Sequence, residues 1–545
     1  MASQILSALD ALETQRYHFK AIMIAGMGLF TDSYYLFCIP PIMRLVGRTC
    51  YPNFSLVMSL LMRESLFEVP TIIASTIISA SLMGALIGQI VFGRLGDRVG
   101  RRQMYGSTLV LMVVGSIGWE FSLLTLVPSV LVSLVFFRIL FWIGIGGDYP
   151  LSATIMSEFA NRRTRGAFIA GMFSMQGFGM LFSSLVTMIV CSIFIVLVEN
   201  EKPSFQQPEK PAQVSPESDL AWRLILMVGA IPVSITYYWR MKMPETARFT
   251  ALVKNNPLQA AKDMEKVLNV SLSPILEDIE TISSSTILVA YTGGFFSREF
   301  LRRHGRDLIA AATNRFLIDI VFYSLNLFQY HAINHHMISK RDMSNPYGVA
   351  MQVAILQAIT GACAMIPAYF VTVCLIDYVG RVKIQATGFF FMAICLFTMA
   401  EINKGNWGSN TSIGFIILYG LTFFFSFGPN TTTFIIPSEL FPAKFRATCH
   451  GISGAVGKVG AIIGTVGFMW ASHDAQHGLG VSNALTAMSL VCVLGVFVTY
   501  FFTRETMRRS LEDNENVDEL TGVLFVRFWP IKLLIKASQQ PPQSN

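Results

Sequence analysis

The chain has 545 residues, 53% hydrophobic and 14% charged, where an ordinary soluble protein carries roughly 25% charged residues, so most soluble folds are excluded. The formal net charge of +7 does not mark a nucleic-acid binder, because the cations stand in short clusters between apolar stretches and no basic block is interleaved with aromatics. Eight cysteines scattered singly, without C-x-x-C spacing, point to neither a disulfide framework nor a zinc site, and no metal or cofactor is expected.

In chain order, residues 1–20 include Asp10, Glu13, Arg16 and Lys20 and lack the apolar core and cleavage site of a secretory signal. They read as a retained cytoplasmic N-terminus. Apolar stretches near 21–45, 70–93, 104–127, 129–156, 166–198 and 220–241 follow, each about 20 residues or more, enough to cross a hydrocarbon core of roughly 30 Å as a helix. Residues 242–308 carry many charges and read as a cytoplasmic central loop. Six further spans lie near 309–335, 348–376, 384–403, 412–436, 448–471 and 485–503, before a cytoplasmic tail over 504–545. The expectation is an all-α membrane protein with twelve spans in two six-helix halves, 21–241 and 309–503. An even span count puts both termini on one side, and Lys and Arg gather in the loops of that side, which marks it as cytoplasmic. Residues 199–219, with four prolines, form a polar external loop.

An internal repeat supports the two halves. The loop Gly93 to Arg102, holding Asp97, Arg98, Arg101 and Arg102, is echoed about 280 residues later by Asp377, Gly380 and Arg381. The stretch from Ser157-Glu158 to Arg165 recurs at nearly the same offset from Ser438-Glu439 to Arg446. Simple positive-inside anchoring explains the arginines but not Asp97 or the glycine spacing. The carboxylates therefore read as members of charge networks that latch a cytoplasmic gate. Glu245 and Arg248, in Pro244-Glu245-Thr246-Ala247-Arg248, join the same set.

Among the charges inside the apolar spans, five stand out: Asp32, Arg138, Asp148, Arg315 and Asp319. Each costs about 2.5–3.5 kcal/mol at the centre of a membrane helix on insertion scales, so each needs a partner or a function. Asp148 lies among Gly144, Gly146, Gly147 and Pro150, which loosen the helix; Arg138, about three turns earlier on the same span, is a candidate structural partner. Arg315 and Asp319, four residues apart, share a helix face and can pair.

The decapeptide Gly93 to Arg102 resembles the signature of the major facilitator superfamily, and Pro244 to Arg248 resembles its sugar-porter-like branch. The stretch from Gly146 through Asp148, Tyr149 and Pro150 to Glu158 is similar to the signature of the plant and fungal phosphate:proton symporters. The similarity continues through Thr164 to Phe168, Met175 to Gly179, Tyr237 to Arg248, Phe322 to Ser324 and Gly428 to Asn430, and is closest to the plant branch. This resemblance implies a phosphate site between the halves near the midplane, with Tyr149, Gln176, Asp319, Tyr323 and Asn430 touching phosphate and Asp32, Asp148 and Asp319 carrying protons; Arg315, which the family pattern does not supply, is added to the phosphate-binding candidates from its own charge and place. The resemblance also implies a multi-pass protein of the plasma membrane whose partners are phosphate, protons and lipid. The chemistry is coherent: phenol and amide groups donate to phosphate oxygens, and a carboxylate accepts the protons that dihydrogen phosphate still carries and sulfate lacks.

The sequence departs from that family pattern in the first span, where Tyr35 stands in place of a second Asp, in the seventh, where Arg315 stands in place of a Trp, and at Leu325, where a Gln is usual. The link before span two, 47–64, is also atypical. Arg315 either tightens anion binding or neutralises Asp319 as a proton carrier. With no GxxxxGK[ST] loop and no catalytic triad, the chain is not read as an enzyme. The alternatives to phosphate import are a proton-coupled sugar or organic-solute transporter, and a phosphate sensor or weakly active paralogue. The tail reads as disordered, with a contact to a homo-oligomer or to trafficking partners as its alternative role.

Overall fold

The computed structural model describes residues 16–50, 71–121, 127–200, 216–254, 294–336, 346–404, 411–472 and 480–515, with isolated positions between 256 and 265. A lipid-embedded chain must satisfy its backbone N–H and C=O groups internally, so the apolar runs form helices. The first half contains α1 (Arg16–Cys50), α2 (Thr71–Arg98), α3 (Arg101–Phe121), α4 (Val127–Phe159), α5 (Arg165–Phe173), α6 (Met175–Asn200) and α7 (Pro216–Lys242), followed by the short α8 (Ala247–Leu252). The second contains α9 (Arg298–His336), α10 (Pro346–Thr360), a π-turn (Gly361–Met365), α11 (Ile366–Val379), α12 (Arg381–Lys404), α13 (Thr411–Leu440), α14 (Arg446–Ser472) and α15 (Val481–Phe502), then the short α16 (Leu511–Glu515). Because α5 runs into α6 at Ser174 and α10 into α11 through the π-turn, these make twelve rods among the described residues, in agreement with the span count. Ten of them are long and apolar enough to cross a membrane; α3 and α13 complete the set. The link before α2 lies largely outside the described residues.

The two halves meet along matching seams, α2 against α14 and α6 against α10. At the first seam the backbones touch: a Cβ on Gly93 would stand 2.7 Å from the carbonyl oxygen of Ala447, and one on Gly451 would stand 2.2 Å from that of Gln89. Small residues let these helices approach where lipid supplies no hydrophobic drive for their association. The outer faces carry Ile189, Ile193, Phe390, Phe397, Val493 and Phe497 exposed, as a lipid-facing surface requires, while the charged residues singled out in the spans are buried. The π-turn adds a residue to one helical turn ahead of Pro367 and so rotates α11, including Tyr369, relative to α10.

Candidate functional site

Near the middle of the bundle, residues of both halves enclose a cavity walled by Asp32, Tyr149, Gln176, Arg315, Tyr323 and Asn430. From the first half, Tyr149 on α4 donates a short hydrogen bond to Asp32 on α1, and Gln176 on α6 donates to the Tyr149 phenol oxygen at 2.8 Å. Tyr369, on α11, then donates to the Gln176 side-chain oxygen at 3.0 Å, carrying the chain of hydrogen bonds across the seam. From the second half, Arg315 pairs through Nε with Asp319 at 3.2 Å, and its Nη1 donates to the Asn430 side-chain oxygen at 3.0 Å and to Thr433 at 3.3 Å. Lys458 on α14 donates to the Tyr323 hydroxyl, stands 3.6 Å from Asp319, and lies 5.4 Å from the Tyr149 ring centre. Two cations and two carboxylates are thus buried together, Arg315 and Lys458 against Asp32 and Asp319, all at most 6% exposed. In a dry setting such a cluster is held by mutual pairing and by hydrogen bonds, and an incoming anion must replace part of that pairing.

Every residue that the resemblance placed at the phosphate site converges here. Lys458 and Tyr369 were not foreseen. The signal for Lys458 was present, since it is the lone cation of the 448–471 span; Tyr369 carries no charge and offers no such signal. Arg315 pairs with Asp319 as its spacing predicts.

Asp148 points elsewhere. It does not wall the cavity but forms a short, two-pronged ion pair with Arg240 on α7, whose guanidinium stacks 4.0 Å above the Tyr105 ring. Arg138 is therefore not its partner. Ten residues along a helix are about 15 Å, beyond the reach of the two side chains; Arg138 instead donates to Ser81 on α2. Arg240 lies inside the 220–241 span and was legible there as a further intramembrane charge. Tyr35 also faces away from the cavity: its hydroxyl donates to the Leu226 carbonyl at 3.1 Å and bonds Ser116, tying α1 to α7 and α3. Leu325 is buried and offers its carbonyl to Tyr419.

At one end of the bundle the repeated loops form a closed latch. Asp97 accepts from the backbone N–H groups of Ala447 and Thr448 at 3.2 and 2.7 Å, so it caps the start of α14 across the seam. Asp377 accepts from Ala167 N–H at 2.8 Å and caps α5 in the same way. Helix N-termini expose unpaired donors and partial positive charge, which explains why an acid recurs at both places. Glu158 takes Arg101 at 3.2 Å and, across the seam, Arg446 at 2.9 Å, with Thr246 donating to its other oxygen. Its counterpart Glu439 takes Arg381 through two bonds of 3.1 and 2.9 Å, with Thr506 donating. Arg248 holds the Glu158 carbonyl at 2.8 Å, and Arg165 donates to the Arg509 carbonyl at 3.1 Å. Glu245 receives the Arg102 backbone N–H at 3.4 Å. Arg102 also reaches the Met241 carbonyl at 2.8 Å, whereas Arg98 is exposed at the end of α2 and forms no ion pair among the described residues.

The tail departs from the disordered reading as far as residue 515. Glu505 receives the N–H groups of Arg381 and Val382 at 3.1 and 3.0 Å, which makes Glu505-Thr506 the structural repeat of Glu245-Thr246. Gly100 and Gly380 sit opposite these acids with φ of +136° and +100°, and a Cβ on either would come 2.6 Å from the facing carboxylate. Further on, Glu512 pairs with Arg248 at 3.1 Å. Burial pushes the Glu512 carboxyl up, but the Arg248 guanidinium, its own backbone N–H and the more distant Arg446 together outweigh it and hold the group below the usual glutamate range. The apolar stretch 525–536 lies outside the described residues.

A profile for the family described as "Sugar (and other) transporter" matches residues 27–517. Over 526 residues, 94% of this chain and 95% of the relative, the sequence is 53% identical to "Probable inorganic phosphate transporter 1-9" of Arabidopsis thaliana. This chain belongs to the plant inorganic phosphate transporter family. A second member of that family, "Low affinity inorganic phosphate transporter 1" of Petunia hybrida, is 45% identical over 536 residues, 95% of this chain and 96% of the relative. Among solved structures, a proton:xylose symporter of the major facilitator superfamily bound to 6-bromo-6-deoxy-D-glucose matches with TM-score 0.65 at 19% identity, covering 91% of this chain and 98% of that one. The xylose transporter from E. coli in an inward-open conformation gives 0.59 at 18% identity, covering 91% and 99%. At such identities these two matches establish the major facilitator fold alone.

Proposed function

We propose that this family member imports inorganic phosphate as dihydrogen phosphate, together with protons, across the plasma membrane by alternating access. The observation that carries the reading is the buried meeting of Arg315 and Lys458 with hydrogen-bonding side chains from both halves. Arg315 and Lys458 are balanced by Asp32 and Asp319, so once a carboxylate is protonated the cluster carries a net positive charge that suits a monoanion and gives an uncharged hexose nothing to neutralise. Lys458 and Arg315 supply the positive charge, the Tyr323 and Tyr149 phenols and the Gln176 amide donate to oxyanion oxygens, and Asp319 or Asp32 accepts a P–OH proton. Arg315 turns from Asn430 toward the anion, which frees the Asn430 side-chain oxygen to accept the second P–OH.

Proton coupling follows from charge. Moving one negative charge inward against an inside-negative potential costs about 2.3 kcal/mol per 100 mV; one proton cancels that, and a second makes entry downhill. Asp32 and Asp319 load protons at the cavity, and Asp148 exchanges a proton against its pairing with Arg240. The latched end is the cytoplasmic one, consistent with its arginines, so the described state is closed to the cytoplasm. Release requires Asp97, Asp377 and Glu158 to give up their partners across the seam, while Glu439 keeps Arg381 within its own half.

Labelled phosphate uptake in cells deprived of their own phosphate importers, with a tenfold excess of competing solute, tests the substrate assignment. Unlabelled phosphate should abolish uptake, and sulfate or xylose should leave it nearly unchanged. Loss of uptake to xylose, or no uptake above empty cells, would overturn it.

A further inference from the structure

Between the central cavity and the latch lies a second chamber that the import cycle above does not use. Its wall includes Gln89, His450, Ser453 and Gly454, and it shares Arg315 and Tyr149 with the central cavity, so those two side chains stand between the compartments. One helix orders the three places: Thr448 of the latch, then His450 and Ser453, then Lys458 of the central site, about 15 Å in all at 1.5 Å per residue. The chamber lies on the α2–α14 seam, the contact that must part when the latch opens.

Three buried polar atoms here have no hydrogen-bond partner among the described residues: the Gln89 side-chain oxygen, His450 Nδ1 and Ser453 Oγ. Their residues are 1%, 4% and 1% exposed. Leaving such groups unmatched is costly, and a native protein does so where something else completes them. The chemistry of the missing partner can be read off. His450 Nε2 is 3.0 Å from the Phe434 carbonyl, which only accepts, so Nε2 carries the hydrogen and Nδ1 of the neutral ring is an acceptor. The chamber therefore offers two acceptors, one hydroxyl and, at its boundary with the central cavity, the Arg315 guanidinium. Dihydrogen phosphate is the complement: two P–OH donors, two oxygens that accept, and one negative charge. Sulfate would set only acceptors against Nδ1 and the Gln89 oxygen.

We propose that this chamber is a second station for dihydrogen phosphate, occupied after the central site as α2 and α14 part and before release to the cytoplasm, with Arg315 turning between the two. The proposal rests on the phosphate reading above. It predicts an asymmetry between the faces of the membrane, because the station belongs to the latched side alone.

The test is the half-saturation for labelled phosphate exchange, measured in right-side-out and inside-out membrane vesicles loaded with unlabelled phosphate. His450→Gln keeps an N–H for the Phe434 carbonyl and loses the Nδ1 acceptor. It should raise half-saturation at least fivefold in inside-out vesicles and change it less than twofold in right-side-out ones. His450→Asn returns an acceptor oxygen near Nδ1 and should stay within twofold on both faces. Ser453→Ala and Gln89→Leu should each reproduce the inside-only increase, and they decide by the same criterion if His450→Gln does not fold. Equal increases on both faces would merge the chamber with the central site and overturn the proposal, and no increase in any variant would reduce it to a water pocket. Wild-type vesicles that exchange no phosphate would instead overturn the substrate reading, and the station with it.

Discussion

Removing the Glu158 charge should spring the latch. Its carboxylate is 1% exposed and holds Arg101 at 3.2 Å within its own half and Arg446 at 2.9 Å across the seam. Breaking a buried ion pair by removing one partner costs about 3–5 kcal/mol, because the other charge is left buried. Only the bond to Arg446 distinguishes latched from open, since Arg101 travels with Glu158, so the share that shifts the equilibrium is about 2–3 kcal/mol. At about 1.4 kcal/mol per tenfold, Glu158→Gln should move the latched-to-open ratio roughly 30- to 140-fold toward open. Spin labels at the exposed positions 163 and 383, one on each half, report that ratio through pulsed electron–electron distance measurements. The wild type should give one short distance and Glu158→Gln a dominant longer one. Arg446→Gln should do the same, and the double variant should add little to either single change, because both remove one interaction. An unchanged distance distribution in Glu158→Gln, or fully additive shifts in the double variant, would refute the reasoning.

Other consequences can be checked alongside. Lys458→Met leaves Asp319 with Arg315 alone and removes a cation from the cavity, so the half-saturation for phosphate uptake should rise at least tenfold with protein levels unchanged. Tyr35→Asp should not create a proton site: it strips a ring packed 4.5 Å from Phe141 and a hydroxyl bonded to Leu226 and Ser116. The loss should approach the roughly 3–5 kcal/mol of an aromatic truncation and appear as a lower melting temperature of the purified protein, with the pH profile of uptake unmoved. Because the docked Glu512 carboxyl is held below its ordinary value, its contribution to tail docking is complete above that value, near 4.3, and is lost as pH falls through the lower docked one. The protection of the amides over 503–515, taken against their intrinsic exchange rates, should therefore fall on acidification below about pH 4, and Glu512→Gln should abolish that pH dependence.

How much of this was legible in the sequence divides along physical lines. Helix count and the duplicated latch could be read because both leave local patterns: apolar length for the spans, and acid, glycine and arginine at fixed offsets for the loops. The repeat at Glu505-Thr506 escaped because its match to Glu245-Thr246, Glu-Thr-x-Arg in both places, is short and falls at an offset of about 260 rather than 280 residues, and only its place against the α12 N-terminus gives it meaning. Asp148 was recognised as costly, but its partner lay on another helix, and pairing between helices has no sequence period. Arg240 and Lys458 carried the same intramembrane-charge signal as the five charges first singled out. Tyr369 enters the site through the π-turn before it, a change of helical phase that composition does not announce.

Everything proposed for the Arg315–Lys458 cavity turns on its carrying phosphate and protons together. The decisive measurement uses the purified protein in liposomes with an acidic exterior and a pH-sensitive dye inside, followed while labelled phosphate is added. Phosphate entry should be accompanied by internal acidification, with both lost when a protonophore collapses the gradient beforehand and both reduced in Asp319→Asn. Phosphate accumulation that is indifferent to the protonophore, or acidification that does not depend on phosphate, would contradict coupled import.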